Sequence, residues 1–135
     1  MGIWKAIVAV VAVEIIWEAG WWAAGVTPVS PWDLKKRLNA GHGIQVVDVR
    51  SLPEYRWFHI PGARHRSLLP VPETGEEPHE LIADRPVVVV CMTGHRSPPA
   101  ALQLKRRGFK TVGHLAGGMA GYRLIGGMTV KGGAP

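Results

Sequence analysis

The chain has 135 residues, a formal net charge of +6 and a single cysteine. One cysteine excludes a disulfide framework and a cysteine-based zinc site, and the six histidines show no paired ligand spacing, so no metal is expected. The basic residues are scattered over several segments without a stripe or a nucleic-acid motif, which argues against nucleic acid as a partner and for a mild field that draws small anions.

The first element runs over residues 3–26 and is almost wholly apolar. It meets the roughly 20 residues needed to cross a bilayer, with Trp4 near one end and Trp21-Trp22 near the other as an aromatic belt. Glu14 and Glu18 oppose this: an acidic residue at the bilayer centre costs about 2.5–3.5 kcal/mol, against about 0.3–0.6 returned by each large aliphatic. Nine Ile and Val residues offset one glutamate and part of the other. At i,i+4 the two carboxyls share a face with Val11 and Trp21, a face read as meeting a partner helix or becoming protonated. A single-pass anchor is the favoured expectation. The alternatives are a cleaved secretory signal (Lys5, then Ala6 to Val13, cut near Ala24-Gly25), giving a secreted or periplasmic domain, and a helix packed on the domain or in an oligomer. Lys35, Lys36 and Arg37 after the segment outnumber Lys5 before it, which favours the cytoplasmic side for the domain that follows, where a free thiol also survives.

The remaining residues suffice for one three-layer core and not for two. Helical spacing over Trp32 to Ala40 opens after Ser30-Pro31, and Ile44 to Val49 reads as a strand. Leu52 to Phe58 is expected as a short helix, Ala63 to Leu69 as a short strand, Pro70 to Pro78 as a loop and His79 to Asp84 as a helix. Val87 to Val90 is a strand buried on both faces. Ser97, read as an N-cap, starts a helix over Pro98 to Arg107 that Gly108 ends. Thr111 to Leu115 forms the last strand and Gly118 to Ile125 the last helix. This alternation predicts an α/β fold: three layers, a central parallel sheet of about five strands with helices on both faces, after an N-terminal hydrophobic helix. The expected units are the helix at 1–27, a catalytic domain at 28–127 and a flexible tail at 128–135.

Cys91 ends the valine strand, at the sheet edge where open α/β folds bind ligands. The loop after it, Met92-Thr93-Gly94-His95-Arg96-Ser97, supplies what a reactive thiolate needs. A helix N-terminus and cations at His95 and Arg96 favour the charged sulfur, Thr93 and Ser97 offer hydroxyls, and Gly94 lets successive amides converge on one point. The competing reading of Cys91, a small buried hydrophobe, explains none of these neighbours.

This loop resembles the active-site pattern Cys-x-x-Gly-x-Arg-Ser/Thr of the rhodanese-like sulfurtransferases. Val47-Asp48-Val49-Arg50 with Glu54-Tyr55, then His59-Ile60-Pro61-Gly62-Ala63, then Leu115-Ala116-Gly117-Gly118-Met119 resemble three further family segments, in order. Tyr122 stands where the family more often has Trp. The resemblance covers residues 29–126 and implies covalent catalysis. The Cys91 thiolate takes the outer sulfur of thiosulfate or a small persulfide, and cyanide or a thiol removes it. It further implies that Met92 to Ser97 bind the substrate, that Arg96 holds the anionic donor or braces the loop, and that no cofactor is required. With no second thiol, the acceptor must come from outside, as a small molecule or a partner protein. The alternative within the same chemistry is a sulfur relay that hands a persulfide to such a partner. Cysteine phosphatases resemble Cys-x5-Arg, whereas four residues separate Cys91 from Arg96, a smaller cup suited to one sulfur atom.

The residues around the loop are expected to be structural. Asp48 is expected to accept backbone amides, Arg50 and Glu54 to pair across a turn, and His59 to hold the turn at Pro61-Gly62. Arg64 and Arg66 either line the approach or are solvated. Lys105-Arg106-Arg107 complements a helix dipole. His42, His65, His79 and His114 are read as surface or turn histidines.

Overall fold

The computed structural model of the chain describes residues 2–66 and 81–132. In chain order these form α1 (Ile3–Ala23), β1 (Thr27–Val29), α2 (Pro31–Asn39), β2 (Gln45–Asp48), α3 (Leu52–Trp57), β3 (Arg64–His65), β4 (Val87–Val90), α4 (Ser97–Arg106), β5 (Val112–Leu115) and α5 (Gly118–Leu124). The strands make one five-stranded sheet in the order β1-β5-β4-β2-β3, parallel throughout. The expected α/β class, the strand number and the apolar leading helix are all present.

Strand periodicity explains the layers. Val87 and Val89 of β4 point into a core shared with Ala100, Ala101 and Leu104 of α4. Val88 and Val90 point the other way, into a core with Leu34 of α2 and Met119 and Tyr122 of α5. A strand buried on both sides needs apolar residues at every position, and four successive valines provide them. Local signals start the helices. Ser30 Oγ accepts from the Asp33 amide at 3.1 Å, and Ser51 with Glu54 forms a reciprocal capping box at α3.

Several elements depart from expectation. β1 is an edge strand absent from the sequence reading, and a domain boundary after residue 27 falls inside it. Pro28 is tolerated there because an edge strand does not need every amide. The described part of the helix expected over His79 to Asp84 is not helical: 81–82 are irregular and 83–84 form a turn. The buried Gln45 side chain takes the backbone groups a helix would use, accepting from the Ile82 amide at 2.7 Å and donating to its carbonyl at 2.9 Å. His79, the loop over Pro70 to Pro78 and the end of the strand expected to Leu69 lie outside the described residues. The segment expected as a free tail is tied at Val130, whose amide and carbonyl pair with His59 at 2.8 and 2.9 Å. Lys105 donates to the Gly25 carbonyl at 3.0 Å, so this basic residue does more than face a helix dipole.

α1 docks by its C-terminal half, with Trp21 against the α4-side core, while Ile3, Trp4, Val10, Val13 and Ile16 are exposed. Its link to the sheet depends on space at Gly113, where a Cβ would lie 2.8 Å from both the Thr27 carbonyl oxygen and Val29 Cγ2. Gly113→Ala is therefore expected to cost about 1–3 kcal/mol in chemical denaturation by forcing β1 off β5. Gly121→Ala on α5, with 3.4 Å to Pro31 Cγ, should be neutral or stabilising.

Candidate active site

β4 delivers Cys91 to the carboxyl edge of the sheet, and the chain then curls back over its sulfur. The Gly94 and Arg96 amides donate to Cys91 Sγ at 3.1 and 3.3 Å, and Ser97 Oγ lies 3.5 Å from it. Cys91 has no exposed surface, yet the following amides converge on it, which a merely apolar cysteine would not need. Two features force this curl. Gly94 sits at φ +91°, in the left-handed region that favours glycine. From the far side, the Met119 and Ala120 amides at the start of α5 bind the Cys91 and Met92 carbonyls at 2.7 and 3.0 Å. With its carbonyls held outward, the loop turns its amides inward. A Cβ at Gly118 would stand 2.4 Å from the Met92 carbonyl carbon, so this approach needs glycine.

The side chains of the loop are held from several elements. Arg96 makes a two-pronged ion pair with Glu54 of α3, at 3.0 and 2.8 Å. The Arg96 hydrogen bond, supported by Ser51, holds the Glu54 carboxyl down at about 2 against the opposing effect of burial, and the same contact raises Arg96. Arg96 therefore braces the loop. The expected Arg50–Glu54 pair does not form: Arg50 binds Asp48 instead, its Nη2 2.8 Å from Oδ2, because both are fully buried and two residues apart. Asp48 also accepts the Arg50 amide at 3.1 Å, as expected, and Arg50 reaches the Phe58 carbonyl. His59 stacks on Tyr55 with centroids 3.8 Å apart and binds the Tyr55 carbonyl, which fixes the turn from α3 into Ile60-Pro61. Burial, with the Asp48 charge, raises the Tyr55 phenol. Thr93 Oγ1 lies 3.0 Å from His95 Nδ1, and Met92 is half-buried beside the α5-side core.

Three expectations change here. Ser97 is not the N-cap of α4: Arg96 holds that position, and Ser97 Oγ is turned inward between Cys91 and His114, 3.2 Å from Nδ1. His114 is not a surface histidine but fully buried, with its Nε2 2.6 Å from Glu18 Oε2. Glu14 and Glu18, expected on a face that meets a partner helix or becomes protonated, meet the sheet domain of the same chain, Glu14 through His95 Nε2 at 3.0 Å. A sequence signal existed for His114. It alternates with Gly113 and Leu115 in a buried strand, and parallel pairing places it opposite Val89, on the face that Cys91 shares. Among the described residues no cluster could hold a metal ion.

The family model for the rhodanese-like domain matches residues 30–124. The chain belongs to the rhodanese-like family. It is 31% identical over 98 residues to the thiosulfate sulfurtransferase GlpE of Coxiella burnetii, covering 73% of this chain and 85% of the relative. It is also 31% identical over 97 residues to the putative sulfur carrier protein YrkF of Bacillus subtilis, covering 72% of this chain and 51% of the relative. Thus the chain spans about half of that sulfur carrier's length. Among solved structures, the Alr3790 protein from Anabaena sp. superposes with a TM-score of 0.69 at 27% identity, over 78% of this chain and 94% of that one. The family model begins at residue 30 and so leaves α1 outside its match.

The Glu54–Arg96 pair carries a pH signature. A carboxyl lowered on folding contributes stability that is present above its ordinary value of 4.5 and lost as pH falls through about 2. Glu54→Gln should therefore lower stability at neutral pH, and its deficit against the natural chain should shrink between those limits in acid-unfolding curves. The pair is partly solvent-exposed, so the difference will be modest.

Proposed function

We propose that this rhodanese-like chain is a sulfurtransferase that carries one sulfane sulfur on Cys91. The observation that supports this best is the convergence of the Gly94 and Arg96 amides on Sγ. A hydrogen bond to a charged group contributes about 1.5–3 kcal/mol, so the two favour thiolate over thiol, and they remain to hold a persulfide. The thiolate attacks the outer sulfur of thiosulfate or of a small persulfide. The new S–S bond forms as the old one breaks, and sulfite or a thiolate leaves with the bonding pair. Cyanide or a thiol then attacks the outer sulfur of the enzyme persulfide and returns Cys91 to thiolate.

A second reading rests on a different observation. Both terminal nitrogens of Arg96 bind Glu54, and His95 binds Glu14, so each positively charged or protonatable side chain of the loop already faces a carboxylate. That disfavours a dianionic donor and favours a relay in which a partner protein supplies or removes the sulfur, as the sulfur-carrier name of the Bacillus relative would fit. Turnover with thiosulfate and cyanide separates the two. The enzyme reading expects steady turnover that Cys91→Ser abolishes, whereas the relay expects negligible turnover with one sulfur atom gained on Cys91 by intact-mass measurement. No sulfur gain from either donor class would remove both readings.

We further propose that α1 anchors the domain to a membrane. The helix is long and apolar enough to cross one by length and composition, although a signal sequence passes the same test. With Glu18 on His114 and Glu14 on His95, residues 3–13 rise about 16 Å beyond the docked part of the helix, so a full crossing draws Glu14 off His95. The charge balance of Lys35, Lys36 and Arg37 against Lys5 favours the cytoplasmic side for the domain. The full-length chain is expected to stay in the membrane fraction through alkaline carbonate washing, with its domain protected from protease outside intact cells. Release by carbonate would refute the anchor.

A further inference from the structure

Cys91, Ser97, His114 and Glu18 form one unbroken line of side chains: Sγ to Oγ at 3.5 Å, Oγ to His114 Nδ1 at 3.2 Å, and His114 Nε2 to Glu18 Oε2 at 2.6 Å. The first three residues have no exposed surface, and Glu18 closes the line from a different element, the helix that precedes the family domain. We propose that this line is a proton relay that takes the Cys91 thiol proton, with His114 and Glu18 as positioning residues acting through Ser97.

The heavy-atom positions serve both ends of the transfer. Before it, the thiol donates to Ser97 Oγ, the serine hydroxyl donates to His114 Nδ1, and His114 Nε2–H donates to the Glu18 carboxylate. After it, Nδ1–H donates to Oγ and the hydroxyl donates to the thiolate. The S–H proton has moved to Oγ and the former hydroxyl proton to Nδ1. One S–H bond has broken, one N–H bond has formed, and no electrons have left the line. The thiolate then accepts from the Gly94 and Arg96 amides as well as from Ser97, and the imidazolium lies against a carboxylate. A hydrogen-bonded line buried in a low-dielectric region is costly when half-satisfied, and this one has a donor and an acceptor at every step. The same arrangement, a base oriented by a third group, generates nucleophiles elsewhere in enzyme chemistry.

The other charged groups near the line come from four elements. His95 and Arg96 lie in the loop, Glu14 of α1 sits on His95, Glu54 of α3 on Arg96, and Asp48 of β2 on Arg50. None of these contacts includes Glu18 or His114.

The inference rests on the reading of Cys91 as the reacting thiol, and its test needs no sulfur donor. Because Cys91 is the only cysteine, the ultraviolet absorbance of its thiolate can be followed against pH in the full-length chain in mild detergent, with Cys91→Ser as the blank. In Glu18→Gln and in His114→Asn the pH of half-ionisation should rise by about one unit, equivalent to tenfold less thiolate on the acid side. The sign for Glu18→Gln is decisive. Removing a negative charge would by simple electrostatics favour the thiolate and lower that pH, whereas losing the partner of the imidazolium raises it. The double variant should match His114→Asn alone, since the two act in series. An unmoved or lowered midpoint in Glu18→Gln, with thermal unfolding confirming a folded chain, overturns the relay. Failure to load sulfur on Cys91 with the shift intact would sink the sulfurtransferase reading and leave the relay standing.

Discussion

Everything at the active edge depends on the direction in which five residues of backbone face. A loop after a strand can present carbonyls or amides to its centre, and only amides suit a sulfur anion. Here α5 determines the choice: its first amides take the Cys91 and Met92 carbonyls, and the close seat of Gly118 beneath Met92 leaves no other path. Gly94 then reverses the chain so that its own amide and that of Arg96 meet at Sγ. The helix dipole of α4 adds to a field the loop already makes. The Leu115-to-Met119 segment is therefore as much a part of the site as the cysteine loop, although it supplies no side chain to the sulfur.

Around that backbone arrangement the charged residues divide into two sets. Asp48, Arg50 and the Phe58 carbonyl form a buried knot that ties the end of β2 to the turn after α3. Its ions are compensated, and breaking one partner would strand the other in a dry interior. Glu54 with Arg96 is the exposed set, and it ties α3 to the cysteine loop across the site. Together they explain why an acidic residue follows the Asp-Val-Arg segment at this distance: it serves the loop's arginine, and the nearer arginine already has a partner.

The layered sheet, the cysteine loop and the order of elements were legible because they are written in local signals: a valine run, Pro after a cap, Gly at a reversal. Residues whose partners lie far along the chain were not. Glu54 pairs across 42 positions and Glu18 across 96, and no periodicity reports such distances. β1 has only three residues, one of them a proline, too little pattern to register as a strand. Ser97 departs from the capping rule for a more instructive reason. The rule that places serine before a helix assumes its hydroxyl has nothing better to bind, and here a buried histidine and a thiol both stand within reach. His114 shows the converse: a histidine between strand residues is buried by register, and burial obliges it to find partners on both nitrogens.

α1 brings two requirements into one helix. Its outer surface is apolar and exposed over most of its length, which suits lipid. Its inner face carries two carboxylates, each of which would cost about 2.5–3.5 kcal/mol in mid-bilayer. Docking on His95 and His114 gives the carboxylates imidazole partners and leaves the apolar face exposed. The two requirements are then linked. A shift of the helix along its axis by one turn, about 5.4 Å, is more than a hydrogen bond can span and draws Glu18 away from His114. By reciprocity, whatever stabilises the docked carboxylate also fixes where the helix sits on the domain. A helix that only tethered the domain would need neither glutamate, so the position of these two acids on the inner face is best understood as serving the site beneath them.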